Sequence, residues 1–395
     1  MSDSWLADWV RDHHAELVEV RRRIHATPEL AFSEFATTKL LVGLLSSAGL
    51  RPWILPCGTG LVVDVGTGPP TVALRADIDA LPVPDMKTVP YRSTVDGACH
   101  ACGHDAHTTI ALGAALALAE APELPGRVRV IFQPAEERMG GAREVIGSGA
   151  LDGVEQVFAL HCDAHLPVGE VGVRVGPITA ACDRVEVRLD GPGGHTARPH
   201  LTVDLVDMLA RIALSTPALL TRRVDTRAGL SLVWGAIQAG EAANIIPSSG
   251  VLRGTVRVLD HEAWADAEKQ VSAAVADAAA GSGASVDIRY EPGVPPVVND
   301  DAAVATLRAA VGAELGEQAV VGTRTSMGGE DFAWYGEHVP VAMARLGTHS
   351  EHLDTVRDLH QGNFDIDERA LGVGVRMLVR TALTALGQAV DSRGA

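Results

Sequence analysis

The sequence predicts an α/β fold: a discontinuous domain with a mixed, largely parallel sheet and helices on both faces, interrupted by a smaller α+β sandwich. Three observations predict it. Strand and helix patterns alternate through residues 1–177, the rhythm of βαβ layering. Near Pro177 the pattern becomes a run of strands with two helices. After a Pro-rich junction, PGVPPVV at 292–298, the alternation resumes. The predicted boundaries are 1–177, 178–293 and 294–395, and the middle piece is long enough to fold alone.

The elements follow in order. Leu6, Val10, Leu17 and Ile24 share one face of an N-terminal helix. A second helix spans about 33–48, with Glu34 in its first turn and Gly49 as its stop. LVVDVG at 61–66 and TVALRADI at 71–78 read as strands around a Gly-Pro turn. Residues 107–121 form a helix of small apolar side chains. RVRVIFQP at 127–134 and VFALHC at 157–162 are buried strands. Beyond Pro177, RVEVRLDG at 184–191 alternates as a half-buried strand should. A helix at about 202–213 follows, with Thr202 and Asp204 as capping candidates. Strands at 230–240 and 251–260, an Ala-rich helix at about 262–280 and a strand at 286–290 complete the inserted piece.

Composition narrows the function. Apolar residues are 47% and charged residues 21% of 395, which excludes a disordered chain. Lys plus Arg number 33 against 50 Asp plus Glu, a net charge of −17, which repels phosphate backbones and anionic membranes. Nucleic acid and membrane are therefore not expected partners. The N-terminus has no basic start followed by an apolar run, and no stretch of 18 apolar residues exists. Five cysteines make no disulfide framework. The expectation is a soluble cytoplasmic protein.

Chemistry-bearing residues gather where the strands end. Asp77 and Asp79 follow the strand at 71–78. CHACGHDAH places Cys99, His100, Cys102, His104, Asp105 and His107 directly before a helix. Glu136 and Glu137 follow the strand at 127–134, and His161 follows the next. Ligands in open α/β sheets collect at the carboxyl ends of strands. Thiolate, imidazole and carboxylate together describe a transition-metal centre, with Zn, Mn, Co and Ni all suited. Singly, each piece has a plainer reading: Asp77 and Asp79 as turn residues, Cys99 and Cys102 as a redox pair, the glutamates as a solvated face. Their convergence favours the metal. Of two adjacent glutamates, one can bind metal while the other takes a proton from metal-activated water and returns it to a leaving amine. The patterns G-x-S-x-G and HExxH are absent.

These segments resemble the M20 metallopeptidase family in its amidohydrolase branch, which includes N-acyl-amino-acid, hippurate and auxin-conjugate hydrolases. The likeness runs through RRRIHATPELAFSE, LRADIDALP, HACGHDAHTTIALGAA, IFQPAEERMGGA, ALHCDAHLPVGEVG, GPGGHTARPH, GEAANIIPSSGVLRGTVR, MGGEDFAWY and DLHQGNF, in that order. It implies a metal-dependent amidohydrolase that deacylates N-acyl amino acids with two divalent ions per subunit. The metal ligands it implies are Cys102, His104, Glu137, His161 and His360, with Glu136 as the general base. His360 carries no signal of its own in spacing. Asp79 matches an aspartate that orients the centre, and Asp77 stands where the wider family has a histidine ligand. The inserted domain is implied to act as a lid and to make a homodimer. His195 matches a histidine that reaches the partner's site and holds the developing oxyanion. Asn244 and Glu330 are implied to touch substrate. Two departures bear on substrate range: Leu205 follows Asp204 where the family has proline, and THSEHLDTVRDLH, ending at His360, is unusually polar. Rival readings are a carboxypeptidase or dipeptidase on small peptides, and a non-enzymatic metal-binding protein.

Overall fold

The computed structural model describes residues 5–68, 70–350 and 356–394. Residues 1–4 of the segment read for a leader, Pro69 of the Gly-Pro turn and 351–355 of the polar stretch before His360 lie outside the described residues. The chain forms two compact units. One comprises Met1–Ile178, Val298–Arg324 and Trp334–Ala395; the other comprises Thr179–Val297 and Thr325–Ala333.

The first unit is built on an eight-stranded mixed sheet in the order Trp53–Ile54, Leu61–Gly66, Arg127–Gln133, Pro70–Asp77, Gln156–Pro167, Val341–His349, Val171–Val173, Val320–Gly322. The central pairings are parallel. Their strands are near-continuous apolar runs: Val72, Ala73, Leu74 and Ala76 are all buried, as strands covered on both faces must be. The helix His104–Ala119 is buried almost all round. Its small side chains allow close helix packing: a Cβ on Gly113 would meet Val375 at 2.7 Å. Val375 belongs to the last helix, Arg369–Gly394. That helix is, among the described residues, the one long and apolar enough to cross a bilayer, and most of its apolar stretch is buried.

The second unit is an antiparallel sheet in the order Ser231–Ala239, Ser249–Val258, Ala181–Asp190, Ser285–Val294. Val185, Val187 and Leu189 are buried while Arg184, Arg188 and Asp190 are exposed. The buried face meets the helices Leu205–Arg223 and Ala267–Ala279, which contribute Leu209, Ile212, Val271 and Val275.

Several predicted bounds shift. The second helix is Phe35–Ser47, and Glu34 stands before it as an N-cap without a side-chain cap bond. The helix expected to stop near residue 213 runs to Arg223 through Pro217, because its buried face continues with Thr216 and Leu220. Asp204 caps it by accepting from the Asp207 N–H, and Leu205 is fully buried beside that cap. The Ala-rich helix is two, His261–Ala265 and Ala267–Ala279. Trp264 in the first donates its indole N–H to Asp183 and so ties that short helix to the sheet. The strand expected at 157–162 extends from Gln156 to Pro167, which puts His161 inside a strand and not after one. Its pairing with Pro70–Asp77 nevertheless stops at Ala159, while pairing with Val341–His349 goes on. His161 therefore lies just past the edge left by the shorter strand.

Candidate metal centre

Four segments of the first unit converge. Cys102 comes from the loop before the helix His104–Ala119, and His104 opens that helix. Gly103 between them has φ 85°, and a Cβ there would stand 2.9 Å from the Cys162 sulfur. Only glycine suits that conformation and that approach. Cys102, His104 and His161 bring one ligand atom each to within 4.8 Å of one another, as do Cys102, Glu137 and His360, and His104, Glu136 and Glu137. The Cys102 sulfur is 3.6 Å from His161 Nε2. His104 Nε2 is 3.9 Å from Glu137 Oε1, and His360 Nε2 is 3.7 Å from the same oxygen.

The imidazoles are oriented from behind. His104 Nδ1 lies 2.9 Å from the Asp79 carbonyl and His161 Nδ1 2.8 Å from the Cys162 carbonyl. A carbonyl only accepts, so each Nδ1 carries the proton and each Nε2 offers a lone pair. His104 Nε2 is buried and makes no hydrogen bond. A buried imidazole nitrogen without a hydrogen bond, facing a thiol, a second imidazole and two carboxylates, is the donor set a divalent transition metal requires. The residues present fit such an ion.

Electrostatics point the same way. Burial pushes the Cys102 thiol well up, with His104 pulling against it. Burial and then Arg345 hold His161 well below the usual histidine value, so it is neutral. His104 is raised despite burial, because Asp77 and Cys102 face it, so the same negative surroundings that favour a proton on Nε2 favour a metal cation in its place. Metal binding exchanges the proton of such a thiol for a cation.

The two glutamates sit on a tight turn, Glu136–Arg138, after the strand Arg127–Gln133. Left-handed residues flank it: Ala135 at φ 54° and Met139 at φ 56°. The Asp79 carboxylate spans the turn. Oδ1 accepts from the Glu136 N–H and Oδ2 from the Glu137 N–H, each at 3.0 Å. The glutamates are thus held from the backbone. His360 is itself left-handed, φ 64°, and its N–H donates to the Ala101 carbonyl, tying its loop to the one that carries Cys102.

Asp77, where the wider family has a histidine, serves His107. His107 Nδ1 donates to Asp77 Oδ1 at 2.6 Å, and its Nε2 accepts from the Cys162 N–H at 2.8 Å. Both nitrogens of His107 are used. Asp77 also accepts from Arg75 at 2.7 Å. Burial opposes its charge, but His104, His107 and Arg75 keep it well below the carboxylate range. The role of His107 was not visible from spacing; its only signal was position i+3 from His104 on one helix.

The remaining candidates belong to the second unit. His195 and Asn244 are exposed neighbours on a two-stranded ribbon in which His195 pairs with Ile245. The Thr196 N–H donates to the Asn244 carbonyl, and His195 Nδ1 accepts from the Ala197 N–H. Glu330 is buried and accepts from the Phe332 N–H at 2.9 Å. Cys99 and Cys162 are buried free thiols, and Cys57 and Cys182 are half-buried.

Comparison with known proteins gives concordant matches. Residues 73–384 match the family described as peptidase family M20/M25/M40. N-acetyl-L-cysteine deacetylase of Bacillus subtilis (strain 168) is 36% identical, covering 96% of this chain and 90% of that protein. A Rhodococcus jostii (strain RHA1) protein with the provisional name glutamate–cysteine ligase 2-3 is 50% identical over 94% of this chain. The chain spans about half of that longer protein, 46% of its length. Among solved structures, the Bacillus subtilis YXEP protein, titled a dinuclear metal binding peptidase from M20 family, superposes with a TM-score of 0.84 at 34% identity, covering 95% of this chain and 99% of that one.

Proposed function

Because the chain belongs to peptidase family M20/M25/M40, we propose that it is a metal-dependent amidohydrolase that cleaves the amide bond of N-acyl amino acids, releasing a carboxylate and a free amine. The observation that carries the reading is the Glu136–Glu137 turn, pinned on Asp79 beside the Cys102, His104 and His161 donors.

Cys102, His104, Glu137, His161 and His360 hold two divalent ions, with Zn, Mn, Co and Ni all compatible with the donors. When bound, the metal would supply a Lewis acid that polarises the scissile carbonyl and brings the pKa of water down toward neutrality. Glu136 takes the proton of the attacking water and delivers it to the departing nitrogen. Asp79 fixes where Glu136 stands by holding its backbone N–H. His195 donates to the developing oxyanion from the partner subunit of a homodimer, and Asn244 and Glu330 contact the substrate. Residues 1–177 and 294–395 act as the catalytic domain and 178–293 as lid and dimerisation domain; within 294–395, the stretch 325–333 that carries Glu330 clusters with the second unit. The setting is cytoplasmic and the partner a small molecule. The net charge of −17 disfavours nucleic acid and anionic membranes.

The test is a hydrolysis panel with each metal in turn. N-acetylcysteine leads it, because a relative carries that activity in its name. N-benzoyl and other N-acetyl amino acids follow, with free dipeptides as competitors. Faster turnover of dipeptides would move the assignment to a dipeptidase or carboxypeptidase. Absence of both bound metal and hydrolysis would defeat it.

A further inference from the structure

Glu34 is a fully buried carboxylate at the head of the helix Phe35–Ser47. A glutamate in that place ordinarily faces the helix's own exposed N–H groups. Here that task falls to Glu29, whose two oxygens accept from the Ala36 and Thr37 N–H groups at 2.9 and 2.8 Å. The Glu34 side chain goes elsewhere. One oxygen, Oε1, accepts from the Phe32 N–H at 3.0 Å and from the Ala135 N–H at 2.9 Å.

Those two donors are unusual. The structure has four non-glycine residues at positive φ among those described: Phe32, Ala135, Met139 and His360. Glu34 Oε1 binds two of them. The left-handed region is costly for an ordinary residue and persists only where surroundings enforce it. Ala135 immediately precedes Glu136, and Ala135 and Met139 bracket the Glu136–Arg138 turn. The Phe32 ring faces the end of that turn, since a Cβ placed on Gly140 would meet it at 3.4 Å. The strained turn is therefore gripped twice. Asp79 holds the N–H groups of Glu136 and Glu137, and Glu34 holds the residue before them.

We propose that Glu34 is a positioning residue for the general base: its carboxylate keeps Ala135 left-handed and thereby aims Glu136. The proposal rests on the hydrolytic reading for its catalytic consequence only. The local geometry stands without it. What the backbone needs from Glu34 is an acceptor oxygen at the right reach, not a negative charge. Glutamine keeps that oxygen, and aspartate withdraws it by one methylene.

The experiment compares Glu34→Asp with Glu34→Gln in the full-length, metal-loaded enzyme. Glu34→Asp should lower kcat by about 10- to 100-fold, the scale expected when a reacting group is displaced by about 1 Å. KM should stay within about twofold, and metal content by elemental analysis should be unchanged. Glu34→Gln should retain kcat within about threefold. Amide hydrogen exchange at Ala135 and Glu136 should quicken in Glu34→Asp and not in Glu34→Gln. Wild-type kcat and exchange in Glu34→Asp would overturn the proposal, as would a Glu34→Gln variant impaired as deeply as Glu34→Asp. Should the wild-type protein hydrolyse nothing in the panel, the hydrolytic reading fails while the exchange comparison still decides the local claim.

Discussion

Most candidates of the first unit and the ribbon pair of the second are held in opposite ways, while His360 of the first unit is exposed and Glu330 of the second is buried. In the first unit, Cys102, His104, Glu136 and Asp79 are buried; the His104 ring is set by a backbone carbonyl, and the Asp79 carboxylate holds the Glu136 backbone. In the second, His195 and Asn244 are exposed on a two-stranded ribbon, with little beyond their own loop to fix them. Burial makes polar groups expensive unless each finds a partner, so a buried site arrives organised. An exposed histidine costs nothing to display, but its usefulness depends on what comes to meet it. The buried donors of the first unit are preorganised; the ribbon of the second displays its side chains to solvent.

Substitutions can break or sharpen this contrast. The largest effect belongs to Glu136→Gln. It should reduce kcat by about 10²- to 10⁴-fold while elemental analysis finds wild-type metal content; full turnover would remove Glu136 from the mechanism. His195→Ala comes next, lowering kcat by about 10²- to 10³-fold, with metal content and melting temperature unchanged because the side chain is exposed. Mixing His195→Ala with Glu136→Gln subunits should restore activity above the sum of the parts. A mixture that stays dead would place His195 in its own subunit's site or in none. Asp77→Asn probes the layer behind the donors. Weakening the hold on His107 should cost about 10- to 100-fold in metal affinity, measured by chelator competition, and an unchanged affinity would show that this layer is decorative. The smallest effect is expected for Cys99→Ser. Burial raises that thiol, which makes it a poor nucleophile, so activity should survive; its abolition would revive the redox reading of Cys99 and Cys102.

Much of the fold was legible because its signals are local. Largely apolar runs such as 71–78 and 127–134 marked buried strands of the mixed sheet, and strict alternation at 184–191 marked the antiparallel sheet. The meeting of Cys102, His104, Glu137 and His161 was legible as well, since Glu137 follows a strand, Cys102 and His104 lead into the next helix and His161 lies past the point where its strand loses a neighbour, all on the side where strands of such a sheet end. His360 was not, for nothing in its surroundings marks it; resemblance alone singled it out. Glu34 was misread as an ordinary first-turn glutamate. Its partner is the backbone N–H of Ala135, 101 positions away, and a backbone donor leaves no trace in residue identity. The break between His261–Ala265 and Ala267–Ala279 was hidden for a similar reason, because the Trp264–Asp183 bond spans 81 positions.

The anchoring of His104 and His161 has one more consequence. Both rings lean on main-chain carbonyls, of Asp79 and of Cys162. Substitution can delete a side chain but never a peptide oxygen. The main-chain acceptor of each imidazole therefore survives mutation of the residue that supplies it, although at His104 the Asp79 carboxylate also stands 3.4 Å from Nδ1. Laboratory evolution of the pocket can exchange neighbouring side chains widely before either ring loses its bearing.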